Sequence, residues 1–275
     1  AAGPEAARRL RQVHEATESV RKLHAKGGLV GSPACVVCGD FNSQGLSAVR
    51  QLLVEGEVAA SFRESGDPTE ARQAEAQVTS KTKRQSLGAF VDAYEAVEGE
   101  MRTPTLIAPC LAPKMATDEG EPTQALLQAL AEMFAVLSAD GESLTAAEQE
   151  AWLLAVNRRL GRGSEFRAAA ALREARNADL SLADFVAIYA AELQAGKFWG
   201  IEHDLALVRG AGLTDPAEPP FTATFDYVFY TSSCLELQGT RASLSPEQAA
   251  VVRSLPNEWH PSDHLPVAVV LAYRE

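Results

Sequence analysis

Cys35-Val36-Val37-Cys38-Gly39-Asp40-Phe41-Asn42-Ser43 reads as a buried strand that ends in an acid and an amide two residues apart. Four β-prone residues, Cys35 to Cys38, run into a glycine that lets the backbone turn sharply. Residues i and i+2 of an extended chain share a side, so the spacing aims Asp40 and Asn42 at a common ligand. That pair suits a phosphate ester. The carboxylate orients or deprotonates a water, while the amide N–H donates to a phosphate oxygen without adding charge. The competing reading is an Asp/Asn turn after a strand, a conformation that both residues favour.

Working outward, Leu10, Val13, Val20 and Leu23 recur at helical spacing between Pro4 and Ala25, and Gly27-Gly28 ends that run. On the other side, Leu46, Val49, Leu52 and Leu53 predict a short helix from Ser43, its expected N-cap, to Leu53. Helix, strand, acid-amide loop and helix in this order imply an α/β layer. Lys81, Lys83 and Arg84 mark a solvated helix end or loop, with substrate binding as the alternative. Leu87 to Val97 is apolar, and Pro104, Pro109 and Pro113 punctuate the loop beyond it. After Gly200, β character returns. Phe221 to Tyr230 reads as one strand with Asp226 in its middle, and Leu235 to Leu237 as its hairpin arm. Pro246 to Val252 predicts a short helix, and Val267 to Tyr273 a central strand.

Between these parts the texture changes. Leu126, Leu127, Leu130, Met133, Phe134 and Leu137 form one helical face, and Trp152, Leu153, Val156 and Leu160 another. Phe166 to Ala175 and Leu182 to Leu193 repeat the pattern around a turn at Asn177-Ala178-Asp179. Helix, loop with a leucine, helix, twice over, resembles a pair of EF-hands at Leu144-Thr145 and Leu180-Ser181. With Leu144 at loop position 8, the ligand positions fall on Leu137, Ala139 and Gly141, and only Glu148 at position 12 matches. With Leu180 there, they fall on Arg173, Ala175 and Asn177, with Asp184 at position 12. Calcium needs six or more oxygens, so Ca²⁺ is not expected, and a structural or protein-binding insert over residues 116–200 is. That insert holds thirteen acids against seven bases, half of the net charge.

The 275 residues carry a net charge of −12, which argues against holding nucleic acid by bulk electrostatics. No apolar run is long enough for a membrane span, and Ala1 to Leu10 have no signal-peptide core. Four widely placed cysteines fit a reducing, intracellular setting, cytoplasm or nucleus. Cys35 and Cys38, three apart on a strand, face opposite sides and so read as core thiols, not a zinc or redox pair.

Ser262-Asp263-His264 enters the last strand, and it changes the reading of Asp40 and Asn42. Gly39-Asp40-Phe41-Asn42-Ser43, then Phe225-Asp226-Tyr227-Val228, then Pro261-Ser262-Asp263-His264-Leu265-Pro266 resembles the second half of the endonuclease/exonuclease/phosphatase superfamily. Within that superfamily the chain resembles the deadenylases of carbon-catabolite-repression type. The resemblance implies an α/β (α+β) fold, part of a four-layer α/β/β/α sandwich with mostly antiparallel sheets. Its catalytic domain would comprise residues 1–115 and 201–275, interrupted by the all-α EF-hand-like insert.

It also implies roles. Asp40 would orient or deprotonate the attacking water, and Asn42 would hold a phosphate oxygen. Asp226 would accept from the imidazole of His264, which stabilises charge on the scissile phosphate, and Asp263 would help hold Mg²⁺ or Mn²⁺. The implied activity is a metal-dependent phosphodiesterase, a 3′–5′ exoribonuclease acting on RNA. A phosphatase of a small phosphorylated metabolite and a non-enzymatic calcium- or partner-binding adaptor are the alternatives. The family's early strands supply an Asn and a metal-binding Glu with no counterpart before Asp40. The expectation is therefore a fragment, or a truncated gene model, of a longer protein, with little hydrolytic activity alone and an uncovered sheet face.

Overall fold

The computed structural model describes residues 6–28, 31–64, 77–99, 102–161, 163–176, 179–215, 217–242, 244, 248, 251–252, 255–257 and 259–274. It is a mixed α+β chain of helices and several small antiparallel sheets. Ala1–Ala108 and Pro219–Glu275 make one compact unit, and Pro109–Glu218 a second. The second unit is wider than the expected 116–200 at both ends.

The first unit begins with α1 (Ala6–Lys26), β1 (Val36–Asp40), α2 (Ala48–Val54), β2 (Glu57–Val58) and β3 (Lys83–Arg84). It continues with β4 (Phe90–Asp92), α3 (Glu95–Glu98) and β5 (Leu106–Ala108). The second unit contains α4 (Ala112–Met115), α5 (Gln124–Leu137), β6 (Ser143–Leu144), α6 (Ala146–Asn157), α7 (Ser164–Arg176), β7 (Leu180–Ser181), α8 (Leu182–Gln194) and α9 (Phe198–Arg209). The chain then returns to the first unit as β8 (Phe221–Ala223), β9 (Asp226–Thr231), β10 (Leu235–Thr240) and β11 (Val269–Tyr273).

The central strand is β9, not β11. In the three-stranded sheet β1-β9-β4 every pairing is antiparallel, and β9 is covered on both faces. One face packs Tyr227 and Phe229 with Leu10, Phe41, Leu52, Leu53 and Phe90. The other packs Val228 and Tyr230 with Ala93 and Leu235. The segment read as one strand from Phe221 to Tyr230 breaks at Thr224-Phe225, so Asp226 opens a strand instead of interrupting one. β10 pairs with β11, Leu235 opposite Tyr273, not with the preceding strand. Val270 and Tyr273 stand exposed on β11, as Val36 does on the edge strand β1.

Several element ends also differ from expectation. Helix α1 buries Leu10 and Val13, whereas Val20 and Leu23 are exposed. Helix α2 starts five residues after Ser43, because Gly45 takes a positive φ and Ser47 supplies the cap, its side chain accepting from the Arg50 N–H. Leu46 is consequently exposed. Directly after Gly200 the chain stays helical to Arg209, and β character returns only at Phe221: Phe198, Ile201, Leu205 and Val208 have the 3,4 spacing of one face and pack on the helical core. The predicted helix at 246–252 falls largely outside the described residues. Among the described residues no helix is long and apolar enough to cross a membrane.

In the second unit β6 and β7 form a two-residue ladder, Leu144 opposite Leu180. Each strand runs directly into a capping box, Thr145 with Glu148 and Ser181 with Asp184. Glu148 accepts from Ala139 N, Thr145 N and Thr145 Oγ1. Asp140 Oδ1 accepts from Ser138 Oγ, Glu142 N and Ser143 N. The backbone N–H of Ser143, then that of Glu142, hold the Asp140 carboxyl below its usual range, and the Thr145 hydroxyl chiefly does so for Glu148. The first loop is thus closed on its own donors. Arg173 and Ala175, aligned with ligand positions of the second loop, lie within α7.

Candidate active site

Asp40, the last residue of β1, stands opposite Asp226, the first residue of β9. Residues directly opposite in an antiparallel pair project from the same face, about 5 Å apart at the backbone, so the ladder brings two carboxylates together. Phe41 fixes the exit of β1. Its N–H donates to the Phe225 carbonyl at 2.8 Å, and its buried ring meets Tyr227 and Phe229 edge-on at 5.8 and 5.7 Å. Burying such a ring contributes about 2 kcal/mol.

Asn42 then departs from the extended path assumed for it. Its φ is 48°, in the left-handed region that Asn tolerates better than most residues. The turned chain places the Asn42 N–H 2.7 Å from Asp40 Oδ1, and its side-chain Nδ2 2.7 Å from Asp40 Oδ2. Asp40 and Asn42 do not project side by side; the amide grips the carboxylate.

His264 Nδ1 lies 2.7 Å from Asp226 Oδ2, with both side chains partly buried, 24% and 14% exposed. An ionised carboxylate can only accept, so Nδ1 carries the proton and Nε2 is the nitrogen left for chemistry. Burial pulls the imidazole pKa down as the largest single influence. The Asp226 hydrogen bond and the charges of Asp226, Asp40 and Asp263 together outweigh it, and the net shift is upward. All three acids thus lie within electrostatic reach of His264. The Asp263 backbone is fixed by its carbonyl, which accepts from the Ile107 N–H at 3.3 Å.

No protein-family model matches this chain, and no curated protein matches it either. The site therefore stands on its own geometry.

Two residues that the sequence reading passed over brace it. Thr105, 2% exposed, accepts at Oγ1 from the N–H groups of Phe225 and Asp226, and its carbonyl accepts from Leu265 N at 2.6 Å. Arg102 pairs with the buried Asp92 at 2.9 Å, lies 4.6 Å from the Tyr227 ring centroid and reaches the Asp226 carbonyl at 3.5 Å. Burial pushes the Tyr227 hydroxyl up to about 12, with Arg102 opposing the shift. Neither had a sequence signal beyond an ordinary Arg and Thr beside Pro104. The cluster Lys81, Lys83 and Arg84 lies elsewhere: Lys83 and Arg84 form β3, and Arg84 pairs with Glu57 in the open.

The carboxylates of Asp40, Asp226 and Asp263 are hard oxygen donors, of the kind Mg²⁺ or Mn²⁺ prefers. Among the described residues, however, no three His, Cys, Asp or Glu side chains converge as a metal-ligand group. They do not form a complete metal site by themselves. The four cysteines are free thiols; Cys35 packs toward the core while Cys38 is exposed.

Proposed function

We propose that the first unit carries a phosphoester-hydrolysing centre of the endonuclease/exonuclease/phosphatase kind, acting on RNA as a 3′–5′ exoribonuclease. The observation that carries this reading is the 2.7 Å Asp226–His264 contact, on a strand whose Asp226 stands opposite Asp40. His264, its charged form favoured by three acids, offers positive charge through Nε2 to the phosphate in the transition state. Asp226 fixes the tautomer. Asp40, held by the two Asn42 bonds, orients or deprotonates the attacking water. Asp263 would contribute one carboxylate toward Mg²⁺ or Mn²⁺. The four-layer sandwich and an intracellular location belong to the same proposal.

His264→Ala and Asp226→Asn should each lower turnover by about 10²–10⁴-fold, the usual contribution of a positioned proton-transfer group. The assay is adenylate release from oligo(A) with Mg²⁺ on residues 1–275. Wild-type rates in both variants would remove the pair from the chemistry. The net charge of −12 favours a second substrate class, a small phosphorylated metabolite. Phosphate release from nucleotides or inositol phosphates, without adenylate release, would select it.

A further inference from the structure

We propose that Thr105 is the positioning residue that keeps Asp226 and His264 in register. The inference rests on the hydrolase reading for its catalytic meaning, but its geometry stands apart from any activity. Between β8 and β9 the chain leaves one sheet for another, so the N–H groups of Phe225 and Asp226 fall where neither ladder serves them. The Thr105 hydroxyl oxygen accepts both, at 3.0 and 3.1 Å. Both bonds are part-buried, and an N–H shut off from water without an acceptor is costly, so they fix the backbone from which the Asp226 carboxylate hangs.

The same residue holds the other half of the pair. Its carbonyl accepts from Leu265 N at 2.6 Å, its neighbour Leu106 forms a bridge with His264, and Ile107 N donates to the Asp263 carbonyl. Its own N–H donates to the Ala223 carbonyl at 2.9 Å. Asp226 and His264 lie 38 residues apart in sequence and have no strand pairing with each other. Thr105 bonds to both segments. Catalytic geometry is sensitive on the scale of 1 Å, so a small shift of either segment would lengthen the 2.7 Å contact.

The variants are Thr105→Val, which keeps the shape and loses the acceptor, Thr105→Ala, which loses the acceptor with a smaller side chain, and Thr105→Ser, which keeps the hydroxyl. The readout is solvent exchange of the His264 Nδ1–H in ¹⁵N-histidine-labelled protein, compared at matched thermal stability margins. Valine and alanine should accelerate that exchange at least about tenfold, the mark of a loosened contact, and serine should restore it. In an active preparation, kcat should fall by up to about 10²-fold in the valine variant at unchanged KM, and recover with serine. Should valine prevent folding, alanine carries the test. Unchanged exchange in a folded valine or alanine variant would overturn the proposal. A lost resonance in protein that hydrolyses no phosphoester would refute the hydrolase reading and keep the positioning role.

Discussion

Asn42 shows how one dihedral decides what a side chain can do. At φ 48° the residue occupies a region that suits glycine and asparagine and strains alanine. Asn42→Gly should therefore be less destabilising than Asn42→Ala by about 1 kcal/mol in urea unfolding, even though both lose the Nδ2 bond to Asp40. Equal losses would mean that the hydrogen bond, not the backbone, sets the cost. Asp40, Asp226 and His264 were legible in the sequence because their neighbours spell short recognisable words. The grip of Asn42 on Asp40 was not, since an i, i+2 argument holds only for an extended chain. Thr105 was invisible for a different reason: its two bonds span about 120 residues.

At the scale of elements, local signals fared better than pairings. Most long helices followed their apolar spacing, although Val20 and Leu23 of α1 are exposed and Leu160 lies beyond the end of α6, and the capping boxes at Thr145 and Ser181 follow from the S/T-x-x-D/E pattern. Thr145→Ala and Ser181→Ala should each cost about 1 kcal/mol of helical-unit stability, read as a lower urea midpoint. What composition could not give was the partner of β10 or the break at Thr224-Phe225, because strand pairing is chosen across the chain. The EF-hand-like loops make the same point with charges. Both Glu148 oxygens and Asp140 Oδ1 accept from the loop's own N–H groups, and calorimetric titration of Ca²⁺ should show no saturable binding below about 1 mM. Saturable binding there would require the loop to reopen.

Over the whole molecule, buried acids set the response to pH. Burial raises Asp204 above its ordinary carboxylate pKa, opposed by hydrogen bonds from His203 and Tyr189 and by the charge of His203, and reinforced by that of Glu192. The folded state then holds a proton that the unfolded chain has released. Stability from this group is largest below the unfolded pKa and declines as pH rises through the folded one. Asp204→Asn retains an acceptor for Tyr189 and should flatten that decline; the urea midpoint between pH 3.5 and 7, followed by tryptophan emission, measures it. Asp92, raised chiefly by burial against the pull of Arg102, has the same sign in the first unit. The ladder that sets Ala108 opposite Phe221 also bears on how the chain folds. Its strands must find each other across the whole of Pro109–Glu218, a loop whose closure is slow while it is a coil. Once the helices have condensed, the distance left to search is short. Pulse-labelled amide exchange should find α5 and α8 protected before β5 and β9, so the Asp226 carboxylate would be among the last groups to reach its place.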